Sequence, residues 1–224
     1  MKNPINRALF LFELRQLFCT KQGLGQSAFM LAVLWHSSSG AAKGLYANSP
    51  DYWSNFILIN GFCLALVINL LAGSELFYKP KKEGALEALL ASGLRPDTVA
   101  ATNAAVSAVY NAAMLAALLL LLAFTLGRFS FAPVHLLSFL AVTLANGALL
   151  VVMSFLSLQT KYGMHAAGFM LLLGVNLMLA ASMTGFSLDA SAGLQGGFAA
   201  ASALLLGASL RVYRLFDREK VLLS

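Results

Sequence analysis

Charged residues are scarce in this chain, and their scarcity excludes an ordinary soluble domain. Among 224 residues there are only 15 Lys and Arg and 9 Asp and Glu, so that 11% are charged. A typical soluble domain has about a quarter charged residues. Hydrophobic residues make up 59% of the chain, and the mean hydropathy is +0.78. This composition predicts an integral membrane protein.

The chain also lacks the motifs of nucleotide, metal and nucleophile chemistry. It contains no GxxxxGK[ST] loop, HExxH pair, CxxC pair or GxSxG turn. We therefore expect no enzyme activity, catalytic residue, metal or cofactor in this chain. The nine acidic residues all fall at the edges of apolar segments or between them, so none is placed to couple transport to an ion gradient. An intramembrane hydrolase would need Ser154 or Ser182 with His165, and no local motif favours it.

Long apolar segments are what the sequence does contain. They predict an all-α integral membrane protein, a single transmembrane domain over residues 1–224 with six transmembrane helices. The predicted spans are 24–46, 55–77, 98–126, 135–158, 164–183 and 195–212. Two alternatives stay open: span one could end near Trp35, and residues 184–194 could form a re-entrant turn or a simple loop.

Polar residues within the predicted spans need protein or water around them. Those in spans one and two are candidates for lining a pathway: His36, Ser38, Ser39, Asn60 and Asn69. In span three, Asn103, Tyr110 and Asn111 lie in an Ala-rich half that permits close helix packing. We interpret these three as packing residues, with a substrate contact as the alternative.

The distribution of positive charge predicts the orientation. Thirteen of the Lys and Arg residues lie at the termini or in the gaps on the side of the termini, against two, Lys43 and Arg128, on the other side. Positive residues favour the cytoplasm, so both termini are predicted to be cytoplasmic. The net charge of +6 thus reflects topology, and no nucleic-acid partner is expected.

Three segments are predicted to lie outside the bilayer on the cytoplasmic side. Residues 1–22 hold apolar side chains among Lys2, Arg7, Arg15 and Lys21, which favours an interfacial helix over a plain tail. Residues 211–224 form a charged tail. Residues 78–96 form a loop with a short amphipathic helix, in which Leu86, Leu89, Leu90 and Gly93 share one side and Glu83 and Glu87 lie beside them.

The order of these parts resembles the permease subunit of ABC-2 type (type V) ABC transporters. The resemblance rests on Glu13-Leu14-Arg15 in the first helix, on the six spans, and on the loop from Lys82 to Ser92. Members of that family commonly carry E-x-G-T-L-E-x-L-L in this loop. Here Ala85 stands where Thr is usual, and Gly93 stands where Pro often follows.

The resemblance implies a transport subunit driven by a partner. The loop would be a coupling helix that docks on a separate ATPase through Glu83, Gly84, Leu86, Glu87, Leu89 and Leu90. ATP and Mg would be bound by that partner, and a second permease protomer would complete the pathway within membrane lipid. The expected cargo is amphipathic, lipid-linked or peptide-like, and haem-related permeases of cytochrome maturation have a similar length and span number. The alternative is a non-transporting scaffold or biogenesis factor whose loop recruits a cytosolic partner, or lies on lipid headgroups.

Overall fold

The computed structural model describes residues 5–42, 83–126, 133–159 and 192–215, with 53, 54, 56–58, 61, 62, 64–66, 69, 76 and 168. In this described part the secondary structure is helical, with no strand. Its continuous elements are α1 (Arg7–Cys19), α2 (Lys21–Ala42), α3 (Ala85–Ala91), α4 (Pro96–Leu126), α5 (Pro133–Gln159), α6 (Ala192–Ser209) and a 3-10 turn (Leu210–Leu215). Asn60, nearly all of predicted span five and residues 184–191 lie outside the described residues.

Three of the described helices are long and apolar enough to cross a membrane: Pro96–Thr125, Pro133–Gln159 and Gly193–Leu215. They coincide with predicted spans three, four and six. α4 has 31 residues, which at 1.5 Å per residue exceeds the roughly 30 Å of a bilayer core. Its first residue, Pro96, suits a helix start because the first-turn amide has no partner to lose. The total of six spans stays a prediction.

α2 continues well past Trp35, so the alternative of a helix ending there is wrong. The helix runs from Lys21 to Ala42, although its apolar part, Gly23–Val33, is short. The backbone of Ser38 and Ser39 is therefore helical, while their side chains are outside the described part of the structure. Polar residues can stay helical here because backbone hydrogen bonding within a helix does not depend on side-chain polarity.

Within the predicted interfacial segment 1–22, the amino-terminal helix begins at Arg7. Asn6 caps it: its side-chain oxygen accepts from the backbone amide of Leu9 at 3.0 Å. The backbone amide of Asn6 donates to Thr102 Oγ1 at 3.0 Å, and this bond connects the start of α1 to α4. At the corner with α2, Thr20 Oγ1 accepts from the Gly23 amide at 3.0 Å. A Cβ atom at Gly23 would collide with the Leu17 backbone, so the corner requires glycine.

α4 is the element on which α1, α2 and α5 pack. The main apolar cluster joins α2, α4 and α5 to the described residues between 53 and 76, which we call the span-two segment. The cluster contains Met30, Trp53, Phe56, Ile57, Leu64, Tyr110, Met114, Leu115, Leu118, Leu122 and Val142. A hydrogen bond between Ser27 and the Tyr110 hydroxyl fixes α2 against α4. Close packing of this kind holds membrane helices together, because lipid is as apolar as the side chains themselves.

α6 packs mainly on α5 and leaves much of its own surface exposed. Ser138 Oγ donates to Gln195 Oε1 at 3.0 Å near one end of the pair. Ser154 and the Tyr213 hydroxyl are 3.2 Å apart near the other end. The outward side carries large apolar residues, including Phe198, Leu204 and Leu205, as expected for a surface that meets lipid or another transmembrane helix.

Candidate functional site

The short helix α3 is delimited by two glycines with left-handed backbone geometry. Gly84 caps its amino end with φ 75°, and Gly93 follows its carboxyl end with φ 90°. Such angles cost glycine little and other residues more. The Gly93 amide donates to the Leu90 carbonyl at 3.2 Å, so this left-handed glycine ends the helix.

The leucines of α3 face inward, which corrects the predicted docking surface. Leu86 is 3% exposed and Leu90 is 1% exposed. Both belong to a cluster with residues from α1, α4, α5 and the end of the span-two segment: Leu9, Leu76, Val99, Ala100, Val106 and Leu158. Leu89 is half-buried at the edge of that cluster. The two buried leucines therefore anchor α3 to its own chain, and their side chains are not available to fill a groove in a partner.

One side of α3 carries exposed side chains that are acidic or small. We call it the outer face, and it consists of Glu83, Glu87, Ala88 and Ala91. Glu83 lies in the turn before the helix and Glu87 in its first turn, where a negative charge is favoured by the helix dipole. Of the predicted docking residues, Glu83 and Glu87 thus remain accessible, with Gly84 half-buried between them.

Asn69, a predicted pathway-lining residue, is 0% exposed, and both ends of its amide group are hydrogen-bonded within the chain. Asn111 Nδ2 donates to Asn69 Oδ1 at 2.7 Å. Asn69 Nδ2 in turn donates to Asn146 Oδ1 at 2.6 Å. This amide cluster, Asn69, Asn111 and Asn146, joins the span-two segment to the middle of α4 and of α5. His36, by contrast, is exposed on α2.

Sequence reasoning treated these asparagines one span at a time and so missed the cluster. Asn146 was not among the predicted site residues, and Asn111 was interpreted as a packing residue. A usable signal was present, since Asn69, Asn111 and Asn146 each lie well inside a predicted span, where an unpartnered amide is costly. A second amide on α4, Asn103, donates to the Leu76 carbonyl at 2.7 Å.

Glu13 of the Glu-Leu-Arg sequence is buried on the inner side of α1. Burial raises the pKa of its carboxyl above the usual value of 4.5, because the charged form loses hydration. Arg15, two residues later, is exposed. The first helix therefore turns its acidic residue toward the protein interior and leaves its basic residues, Arg7 and Arg15, exposed.

Replacing Glu13 with glutamine is expected to stabilise the protein at neutral pH. A carboxyl whose pKa is raised in the folded state favours folding most below pH 4.5, and this contribution is lost as the pH rises to the folded-state pKa. Glutamine resembles the protonated acid and removes that dependence. Thermal unfolding in detergent as a function of pH measures it, with Glu87→Gln on the exposed face as the matched control. A loss of stability in Glu13→Gln would show that the ionised carboxylate is required.

Within the described residues there is no group of three or more His, Cys, Asp or Glu that could hold a metal. No family model, curated protein or solved structure matches this chain. The assignment of a function therefore depends on the loop helix, the polar residues of the helices and the resemblance in the sequence.

Proposed function

We propose that this chain is the membrane subunit of an ATP-driven ABC-2 type exporter, forming half of a dimeric pathway. The observation that carries this proposal is α3, a short helix with an acidic outer face and an anchored inner face. It is followed after four residues, 92–95, by the longest described apolar helix, α4. A contact made on α3 therefore acts directly on an element of membrane-spanning length.

The anchoring of α3 suits the transmission of force. Its inner leucines contact α1 and α4 at once, and a close-packed interior moves as a rigid unit rather than deforming. Nucleotide-driven movement of an ATPase against the outer face would thus shift α1 and α4 together. ATP and Mg belong to that partner in this proposal, and Glu83 and Glu87 would meet basic residues at its surface.

The exposed residues of α2 favour a second protomer or a cargo pathway next to this helix. Gln26 and His36 are exposed there, and polar groups of a membrane helix are costly when they face lipid. Gly25, Ala28 and Ala32 are also exposed and, at intervals of three and four residues, lie on the same side of the helix as His36. Such small residues permit close approach of another helix. We propose that this side of α2 faces the second permease chain and the cargo pathway.

An inner-membrane location with cytoplasmic termini belongs to the same proposal. Its support is the excess of positive charge on the side of the termini. α1 also exposes Arg7 and Arg15 next to Leu11 and Phe12, a combination suited to lipid headgroups above an acyl layer.

Reversing both charges of the outer face should detach the partner ATPase that this proposal implies. For Glu83→Lys with Glu87→Lys we expect a loss of about tenfold or more in affinity, because like charges brought together across an interface cost several kcal/mol. Quantitative co-purification measures the loss. The unfolding temperature should stay unchanged, since both side chains are exposed.

The neutral pair Glu83→Gln with Glu87→Gln is the matched control and should lose less affinity than the lysine pair. Undiminished association of the lysine pair would contradict docking through this face. Reconstituted vesicles then separate an exporter from the alternative, a recruiting scaffold, since only the exporter would move cargo when ATP is supplied to its partner.

A further inference from the structure

One stripe of α4 carries buried polar atoms that have no hydrogen-bond partner among the described residues. Asn103, Ser107 and Asn111 follow one another at intervals of four residues, so they lie on the same side of the helix. All three are at least nine-tenths buried. We call them the polar stripe.

The stripe faces the span-two segment. Asn103 binds the Leu76 carbonyl and Asn111 binds Asn69. Asn103 of α4 meets the later residue of the span-two segment, Leu76, and Asn111 meets the earlier one, Asn69. The two segments therefore run antiparallel.

Three polar side-chain atoms of the stripe make no hydrogen bond to a described residue. Asn103 Oδ1, Ser107 Oγ and Asn111 Oδ1 are buried without a hydrogen-bond partner among the described residues. The orientation of Asn103 follows from its partner, because the Leu76 carbonyl can only accept and must meet the NH₂ group. Its oxygen is therefore turned away from that bond. Leaving buried acceptors of this kind without a donor is unfavourable, because they have given up their hydration.

We propose that the polar stripe is a binding site for two internal water molecules. Side chains four residues apart on a helix are about 5–6 Å apart at Cβ, which is about twice the length of a hydrogen bond. One water between Asn103 Oδ1 and Ser107 Oγ, and another between Ser107 Oγ and Asn111 Oδ1, would satisfy all three atoms. The serine hydroxyl donates to one water and accepts from the other.

The chemistry of the stripe selects water over a cation. A hard cation needs six or more oxygen ligands at about 2.3–2.6 Å, whereas the three oxygens here are neutral and spread over two helical turns. Water needs only two to four polar partners. Waters along the seam would let span two and α4 exchange hydrogen bonds as they shift, without leaving a bare amide in the bilayer.

Water-edited solid-state NMR of the full-length protein in lipid vesicles tests the proposal. Polarisation transferred from water should build up several-fold faster at Ser107 Cβ than at Ser154 Cβ. Ser154 is a matched control, because both serines are 0% exposed but Ser154 Oγ is bonded to the Val151 carbonyl at 2.8 Å. Equal build-up at the two serines would overturn the proposal.

A second measurement uses Ser107→Ala, which removes the central atom of the stripe. Transfer to the side-chain amides of Asn103 and Asn111 should then fall toward the level of Ser154. Unchanged transfer to both would show that the water is not held by the stripe. Should the variant not fold, the comparison of Ser107 with Ser154 in the unmodified protein still decides.

Discussion

Replacing Leu90 with alanine is expected to lower the free energy of unfolding by about 2–5 kcal/mol, the usual cost of truncating a fully buried leucine. Leu90 is 1% exposed and lies in the cluster that holds α3 against α1, α4 and α5. The cavity left behind would loosen the only described attachment of the loop helix. Chemical unfolding of the purified chain in mild detergent measures the loss.

Leu120→Ala is the matched control, because it deletes the same atoms from a side chain that is 71% exposed on α4. We expect little change there. If Leu90→Ala were no more destabilising than Leu120→Ala, the inward orientation of α3 would be wrong, and its leucines would be free to meet a partner.

Comparing Leu90→Ala with the lysine pair at Glu83 and Glu87 distinguishes two reasons why association with the ATPase could be lost. Leu90→Ala should weaken both stability and association with the ATPase, because the docking surface loses its support. The lysine pair at Glu83 and Glu87 should weaken association alone. A variant with three aspartates in place of the α3 leucines would confound the two effects, since it buries charge in the protein's own core.

Replacing Asn69 with leucine is expected to cost about 1–4 kcal/mol of stability. Asn69 is the central member of the amide cluster, so its loss leaves Asn111 Nδ2 and Asn146 Oδ1 without their present partners. Hydrogen bonds between membrane helices contribute about 0.6–2 kcal/mol each. Leucine has a similar size, so the lost bonds rather than a cavity should dominate the change.

A double-mutant cycle tests the Asn69–Asn111 pair directly. Asn69→Leu combined with Asn111→Leu should cost clearly less than the sum of the single changes, because an apolar pair leaves fewer amides unsatisfied. Gln26→Leu, on the exposed side of α2, makes the same type of change away from the cluster. Strict additivity of the two asparagine substitutions would contradict a direct hydrogen bond between them.

Much of the described fold could be predicted from local patterns. Apolar runs over predicted spans three, four and six give helices of membrane-spanning length at those positions. The mixture of charged and apolar residues near the amino terminus gives α1. The loop after predicted span two gives the short helix α3. Each of these features depends on length, apolar content and periodicity within a single segment.

The site was less predictable, because amphipathicity identifies an apolar face but not what covers it. Leu86 and Leu90 were expected to meet another protein, yet α1 and α4 cover them within the chain. Asn69 was expected to line a pathway, yet Asn111 and Asn146 enclose it. In both cases the decisive neighbours are tens of residues away in the sequence.

The sequence by itself thus determined that the described part of the protein is helical, contains apolar helices of membrane-spanning length and carries a short helix in its charged loop. Composition and periodicity are sufficient for this, because a bilayer requires each spanning segment to satisfy its own backbone. Only the tertiary structure decided which side of that short helix is free and which polar groups meet inside the bundle. Both depend on how the helices are rotated and aligned against one another, and packing between distant segments sets that arrangement.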